Sequence, residues 1–343
     1  MNNPYILEVD NLAVEFATYG GTVKAVRDVS FKLRKGSTLA IVGESGCGKS
    51  VTVQSLMGLI PMPPGVITNG SARLNGQELL GLSADKLNLY RGKQIGMIFQ
   101  DAMSALNPTM TIGNQIAETL IVHSLLSKKA AWAEVIHLLE LCHIPEPERR
   151  ARQFPFEFSG GMLQRAMIAM SIACKPDILI ADEPTTALDV TIQAQILNLL
   201  RSLQENRGLS IILITHDLGV VARMAHDVAV MYAGQIVETG SVDDIFYRSA
   251  HPYTIGLKSA MPSNKSAQQN LQIIAGSPPD LFNPPSGCGF YARCSHAMLV
   301  CKQQNPTPFG KHHLSRCWLH HTLAPPHPLQ QNLNFSALEP AIS

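Results

Sequence analysis

The stretch Gly43-Glu44-Ser45-Gly46-Cys47-Gly48-Lys49-Ser50 carries the most chemistry for its length. It satisfies the pattern G-x-x-x-x-G-K-[ST]. The apolar run Leu39-Ala40-Ile41-Val42 enters it, and a segment of helical character, Val51 to Met57, leaves it and stops at Gly58. Glycines let the backbone curl so that several N–H groups converge on phosphate oxygens, and the helix that follows adds the positive end of its dipole. Lys49 is suited to reach the β- and γ-phosphates, and the Ser50 hydroxyl to ligate Mg²⁺. A Gly-rich turn can match the bare pattern by chance, but a strand before and a helix after it argue against that. The stretch predicts a bound nucleoside triphosphate.

Other reactive groups stand at the ends of apolar runs. Ile178-Leu179-Ile180-Ala181 reads as a buried strand that ends in Asp182-Glu183 and then Pro184. A carboxylate at the C-terminal end of a central parallel strand lies beside a phosphate loop. Asp182 therefore suits the water shell of Mg²⁺ and Glu183 a hydrolytic water. Ile95–Phe99 reads as a second buried strand ending on Gln100, and Ser210–Ile214 as a third ending on Thr215-His216-Asp217. If that third strand neighbours the others, His216 falls near the γ-phosphate; taken alone, such a histidine is more often structural. Ser159 reads as an N-cap, with Gly160-Gly161 opening a helix on which Leu163, Ala166, Met167, Met170 and Cys174 recur at helical spacing. Cys174 is then most simply a core residue. Bare N–H groups at such a helix start admit a phosphate, although an ordinary Gly-rich start would look the same. Phe16 and Tyr19 could stack on a purine; Tyr19, beside Gly20-Gly21, is the better placed, while an aromatic on a strand is as readily a core residue.

The elements that must position these groups are legible in outline. Residues 5–42 read as β-rich, with Val29, Phe31 and Leu33 alternating with polar neighbours. Gly70–Leu74 reads as a short strand, and Asn75-Gly76 as a hairpin turn with both residues at positive φ. Residues 111–152 change to helical spacing (Ile112, Ile116, Leu120; Val135, Leu138, Leu139), a helical insert in an otherwise α/β domain. With 343 residues the chain allows one large domain or two. Lys+Arg 27 against Asp+Glu 26 leaves a net charge of +1, which argues against a nucleic-acid coat protein. Apolar runs such as Ile178–Ala181 fall far short of the roughly 20 residues that span a bilayer. The opening Met1-Asn2-Asn3-Pro4 lacks the basic start and apolar core of a signal peptide. A cytoplasmic protein is expected, with any membrane role exerted through a partner.

Six short elements stand in one order: the phosphate loop, Gln100 after a strand, Ser159-Gly160-Gly161, Asp182-Glu183, Ala187-Leu188-Asp189 and His216. This ordered set resembles the ATP-binding cassette ATPases, over roughly residues 5–240, with Phe-Ser-Gly-Gly-Met-Leu-Gln where the commoner signature reads Leu-Ser-Gly-Gly-Gln. Further on, His251-Pro252-Tyr253-Thr254, Gly276-Ser277-Pro278-Pro279, Gly287-Cys288 and Arg293-Cys294 resemble the C-terminal extension of oligopeptide/dipeptide importer ATPases, as does Leu106-Asn107-Pro108 after Gln100. Nickel importers and antimicrobial-peptide uptake systems share these features.

The resemblance implies an α/β P-loop cassette in residues 1–240, built from a RecA-like core, an antiparallel β subdomain and a helical subdomain at about 101–175. A Cys-rich extension at 241–325 and a flexible tail at 326–343 complete the expected organisation. It implies two cassettes closing head to tail. Gly43 to Ser50, with Val51, hold the triphosphate; Ser50, Gln100 and Asp182 surround Mg²⁺; Glu183 polarises the attacking water and His216 positions it. Ser159, Gly160 and Gly161 serve the partner's ATP, and Asp189 links the two sites. The implied partners are a second ATPase subunit, a paralogue by preference, two transmembrane permeases and an extracytoplasmic binding protein, with this chain peripheral on the cytoplasmic face of the cell membrane. Nucleic acid is not an expected partner. A DNA-maintenance ATPase of the superfamily would carry long coiled coils in place of residues 111–152, and a translation factor would carry two cassettes.

Four of the seven cysteines, Cys288, Cys294, Cys301 and Cys317, crowd into thirty residues. In a reducing compartment such a group is expected to hold metal rather than disulfides. Zinc sites usually show close C-x₂₋₄-C pairs, which are missing here, and wider spacing suits an iron–sulfur cluster. Related peptide-importer subunits carry this pattern, so a [4Fe–4S] centre is expected, with zinc or no metal as the alternatives. The nearby His296, His312, His313, His320 and His321 read as solvated surface.

Overall fold

The computed structural model describes residues 3–186, 188–260 and 274–333. The chain falls into two compact units. One gathers residues up to Leu7, Lys32–Thr38 and Arg73–Thr215; the other gathers Glu8–Phe31, Leu39–Ala72 and the chain from His216 onward.

In the first unit, three parallel strands, Ile95–Ile98, Ile178–Asp182 and Ser210–Thr215, pair in register, with Ile95 opposite Ile178 and Ile178 opposite Ser210. Every residue of the three is buried. Strands covered on both faces read as unbroken apolar runs rather than alternations, which is why the sequence displayed them so clearly. Gly96 is small of necessity: a Cβ there would lie 2.3 Å from the Ser171 carbonyl. The helical insert forms as expected, with Ile112–Ser124 capped by Thr111 and Lys128–Leu141 capped by Ser127. The helix Gly160–Ser171 starts at Ser159, whose hydroxyl accepts from Met162 N–H at 3.4 Å. Cys174 is only half buried and lies 3.6 Å from the Thr119 carbonyl, so it is a packing residue at the rim rather than in the core. Asn75 and Gly76 take φ of 47° and 81° and join Leu74 to Gln77 in an antiparallel pair, the expected hairpin.

In the second unit, the phosphate-loop strand runs parallel to Asp227–Tyr232, Leu39 opposite Asp227 and Val42 opposite Val230. Gln235–Ser241 returns antiparallel. The sheet then takes up residues from the C-terminal extension: Glu238 pairs with Ser315 and Phe309 with Ser315. The extension is therefore part of this core rather than an appendage beginning at residue 241. Phe290, Leu319, Leu329 and Leu333 are buried. The tail expected to fray from residue 326 instead forms a 3₁₀ turn at Pro328–Asn332, with Asn332 donating to the Ser249 carbonyl at 2.7 Å. Residues 334–343 of that expected tail lie outside the described residues.

Two histidines expected on the surface are also buried here. His313 Nε2 meets Glu238 Oε1 at 2.7 Å, and His320 Nε2 meets the Ala250 carbonyl at 2.7 Å. Glu238 is fully buried and is further satisfied by the N–H groups of Ala250 and His251. His251 caps the helix Pro252–Ser259, its Nδ1 accepting from Tyr253 N–H. Burial lowers its pKa from 6.5 to about 4, against the pull of Glu238, and burial lowers that of His320 too. The unfolded chain takes up these protons near pH 6.5 while the folded chain resists, so stability falls as pH falls from 6.5 towards 4. Thermal unfolding across that window should give a falling midpoint, and His251→Asn, which retains a capping oxygen, should flatten the slope.

Candidate nucleotide site

The phosphate loop connects its strand to the helix Lys49–Leu56. Gly48 stands at the turn into the helix with φ 102°; a Cβ there would lie 2.4 Å from the Ala25 carbonyl. A Cβ on Gly43 would lie 2.1 Å from the Met231 carbonyl. The loop is thus pressed against neighbouring backbone, and only glycine fits at either position. Lys49, almost fully buried, donates to the carbonyls of Gly43 at 2.8 Å and Glu44 at 3.0 Å. The first turn of the helix carries no acidic residue, so its positive end is not neutralised locally. Ser50 and Val51 open that helix. Cys47 is buried, and burial raises its thiol pKa despite nearby Lys49. Ser45 and Gly46 are exposed at the outer bend of the loop.

Gln100, Ser159, Gly160, Gly161, Asp182, Glu183 and Asp189 belong to the other unit. Two of the three buried strands bring Gln100 and Glu183 together, with Gln100 Nε2 donating to Glu183 Oε2 at 3.1 Å. Glu183 sits in the left-handed region at φ 49°, its N–H bonded to the Ile214 carbonyl at 2.9 Å. For a residue with a Cβ this is a strained conformation, held by the neighbouring strand end and by the turn that follows. The Thr186 hydroxyl donates to the same Glu183 oxygen at 2.9 Å. Thr186 is a functional neighbour that the sequence pattern did not single out. Asp182 is buried in register with Ile214. Asp189 is exposed and accepts from Ile192 N–H at 2.9 Å, so it starts the helix Val190–Arg207. Ala187, its neighbour in the expected motif, lies outside the described residues. A Cβ on Gly160 would touch nothing, whereas one on Gly161 would meet the Ile192 side chain at 2.9 Å. The outward face of the helix start is thus bare backbone.

His216 belongs to the unit of the phosphate loop and is exposed. The next residue, Asp217, caps the helix Leu218–Met224. Tyr19 is fully exposed at the turn between Tyr5–Thr18 and Gly21–Arg34, so it is not a core aromatic.

The metal centre expected at the four cysteines is not evident. Among the described residues no group of three or more His, Cys, Asp or Glu side chains could hold a metal ion, and a zinc site does not fit. Burial pushes the Cys288 thiol up to about 11 and raises those of Cys294 and Cys317. Cys288 and Cys294 pack on one apolar cluster and Cys317 lies in another.

Residues 26–186 match the family described as ABC transporter, and residues 237–301 the family described as Oligopeptide/dipeptide transporter, C-terminal region. The chain is similar to the ATP-binding cassette MJ0796 in a structure titled as a dimeric post-hydrolysis state bound to ADP and Pi. That match has a TM-score of 0.63 at 26% identity, covering 69% of this chain and 98% of that one. It is an ABC-type ATPase. It is 57% identical over 323 residues to the oligopeptide transport ATP-binding protein OppD of Bacillus subtilis (strain 168), covering 93% of this chain and 90% of the relative. To the dipeptide transport ATP-binding protein DppD of the same organism it is 55% identical over 316 residues, covering 92% and 94%. The chain belongs to this family of oligopeptide/dipeptide transport ATP-binding proteins.

Gly48→Ala should destabilise the fold by about 1–3 kcal/mol and weaken nucleotide binding at least tenfold, measured by thermal unfolding and by binding of a fluorescent ATP analogue. Wild-type values for both would contradict the close backbone packing described for the loop.

Proposed function

We propose that this chain hydrolyses ATP to drive the import of di- or oligopeptides across the cytoplasmic membrane. The observation that carries this reading is the full-length similarity to oligopeptide and dipeptide transport ATP-binding proteins, on a chain that holds Gln100, Glu183 and Thr186 in one hydrogen-bonded group. Lys49 and the loop N–H groups bind the triphosphate. The Ser50 hydroxyl, Gln100 amide and Asp182 carboxylate are oxygen donors of the kind Mg²⁺ takes, and the ion, when bound, neutralises charge developing on the phosphates. Glu183 is the general base: its carboxylate is oriented by Gln100 and Thr186, leaving it to polarise a water rather than to swing freely. His216 positions that water. Tyr19, being fully exposed at a turn, offers a ring face to the adenine. The bare backbone at Ser159-Gly160-Gly161 serves the ATP of a second cassette, and Asp189 links the two sites.

Among the described residues no helix is long and apolar enough to cross a membrane, so the work must reach the permeases through a docking surface. The helical insert offers one. A groove of about 720 Å³ is lined by Met110, Ile121, Val122 and Trp132 together with the charged Glu118, Lys128 and Lys129, and Val122 is exposed. Two permeases, a second ATPase subunit and an extracytoplasmic binding protein complete the assembly, with this chain peripheral on the cytoplasmic face. The groove and the full-length similarity favour transport over a non-transport ATPase. Peptide import is favoured over nickel or antimicrobial-peptide uptake by the names of the relatives.

The [4Fe–4S] reading of Cys288, Cys294, Cys301 and Cys317 rests on their number and wide spacing in the sequence. No step of hydrolysis is routed through it.

Glu183→Gln should bind ATP with near-normal affinity and hydrolyse it at least 100-fold more slowly, whereas Lys49→Ala should lose binding itself. Cells carrying either variant as their sole copy should fail to take up tripeptides while importing free amino acids normally. Normal hydrolysis by Glu183→Gln would remove it as the base. For the cysteines, iron and acid-labile sulfide should be found in roughly equal amounts in protein purified without oxygen; protein devoid of both would end the cluster reading.

A further inference from the structure

Glu44 occupies a position that the phosphate-loop pattern leaves open, and it is held from three directions. Its carbonyl accepts from Lys49 Nζ at 3.0 Å. Its N–H donates to the Tyr253 hydroxyl at 2.9 Å. Its carboxylate is gripped by both ends of the Arg293 guanidinium, at 2.7 Å from Nη1 and 3.0 Å from Nη2. Tyr253 and Arg293 both come from the C-terminal extension, more than 200 residues away in sequence.

Arg293 spends all its donors here. Nη1 also reaches the Tyr232 hydroxyl at 3.2 Å, Nη2 the Ile274 carbonyl at 3.2 Å, and Nε the Ala275 carbonyl at 3.0 Å. A guanidinium has five N–H donors in a fixed fork, so this one is fully engaged and cannot rotate without breaking several bonds. Its side chain is 6% exposed, where a two-toothed ion pair is far less screened than at a surface. The platform beneath is rigid as well. The rings of Tyr232, Tyr253 and Phe290 pack with centroids 4.5, 5.3 and 5.4 Å apart, and the guanidinium lies 5.7 Å from the Tyr232 ring centroid.

We infer that the C-terminal extension braces the phosphate loop: Arg293 and Tyr253 are positioning residues for ATP, acting through Glu44 on the ammonium of Lys49. The inference rests on the ATPase reading above. Apart from its glycines, its own carbonyls and the backbone of Ala25 and Met231 pressed against it, a loop this short has little to hold its shape. Fixing Glu44 from three directions sets where its carbonyl, and with it Lys49, stands before nucleotide arrives. Such preorganisation raises affinity by lowering the ordering cost of binding. It also makes the geometry of residues 288–294 legible at the nucleotide, since the turn Tyr291–Arg293 carries the arginine between Cys288 and Cys294.

The test uses the full chain with a fluorescent ATP analogue as probe, in wild type, Lys49→Ala, Tyr253→Phe, Arg293→Met, Glu44→Gln and the Glu44→Gln/Arg293→Met pair, each with its melting temperature. Tyr253→Phe and Arg293→Met should each raise the dissociation constant about three- to tenfold, raise KM for ATP alike, and leave kcat at saturation close to wild type. The double variant should be no weaker than the worse single one, since both break one interaction. Arg293→Lys should recover only part of the loss, because an ammonium cannot span two oxygens. Should Arg293→Met fail to fold, Tyr253→Phe and Glu44→Gln, which remove one hydroxyl and one charge, decide the matter. Wild-type affinity and KM in these variants, or strictly additive losses in the double, would overturn the brace. Wild type that binds no more nucleotide than Lys49→Ala would sink the ATPase reading and the brace with it, whereas normal wild-type binding with indifferent variants sinks the brace alone.

Discussion

A chain that must aim several N–H groups at one anion has to curl more tightly than side chains allow, and that constraint shapes the whole neighbourhood of the phosphate loop. Gly43 and Gly48 each leave room where a Cβ would run into a carbonyl of Met231 or Ala25. Both neighbours are backbone, which cannot move aside as a flexible side chain can. The loop is therefore squeezed into shape from outside as much as it is folded from within. Its strand lies against Asp227–Tyr232, so the same strand that supplies the Met231 carbonyl also supplies the Tyr232 hydroxyl that meets Arg293. The glycine pattern and the C-terminal extension meet on one strand.

The other unit solves a different problem, which is to orient a carboxylate. Neutral donors can fix its direction without removing its charge. Gln100 and Thr186 are such donors, both to Oε2, which leaves Oε1 out of these two bonds. The positive φ of Glu183 turns the chain sharply straight after the buried strand, and Pro184 follows. Strain at this one residue is tolerable because three fully buried parallel strands supply the packing that offsets it.

What could be read from the sequence is what depends on local pattern. The strands that carry Gln100 and Glu183 are buried on both faces, so they stand out as apolar runs. Ser159 behaves as the expected cap because its short polar side chain satisfies an N–H group three residues on. Asn75-Gly76 turns as its φ preferences require. The extension was misjudged for the opposite reason. Its core residues, Phe290, Leu319, Leu329 and Leu333, are spaced irregularly among prolines and cysteines, so no period of 2 or 3.6 announces them. The pairing of His313 with Glu238 spans 75 residues, and no rule of spacing could have taken that histidine off the surface.

Residue type also explains why the role of Glu44 was invisible. In the pattern G-x-x-x-x-G-K-[ST] it is an x, a position at which the chemistry of phosphate binding asks for nothing. An unconstrained position is the one place in the loop where a side chain can be recruited for another purpose without cost to the nucleotide contacts. Glutamate is long enough to leave the loop and bidentate enough to be held by one arginine in a single orientation. Its backbone, meanwhile, stays within the loop and presents its carbonyl to Lys49. The same residue thus faces the nucleotide side with its main chain and the extension with its side chain. A carboxylate at this position is expected wherever an arginine from outside the loop is placed to meet it, and has no reason to be preferred where none is.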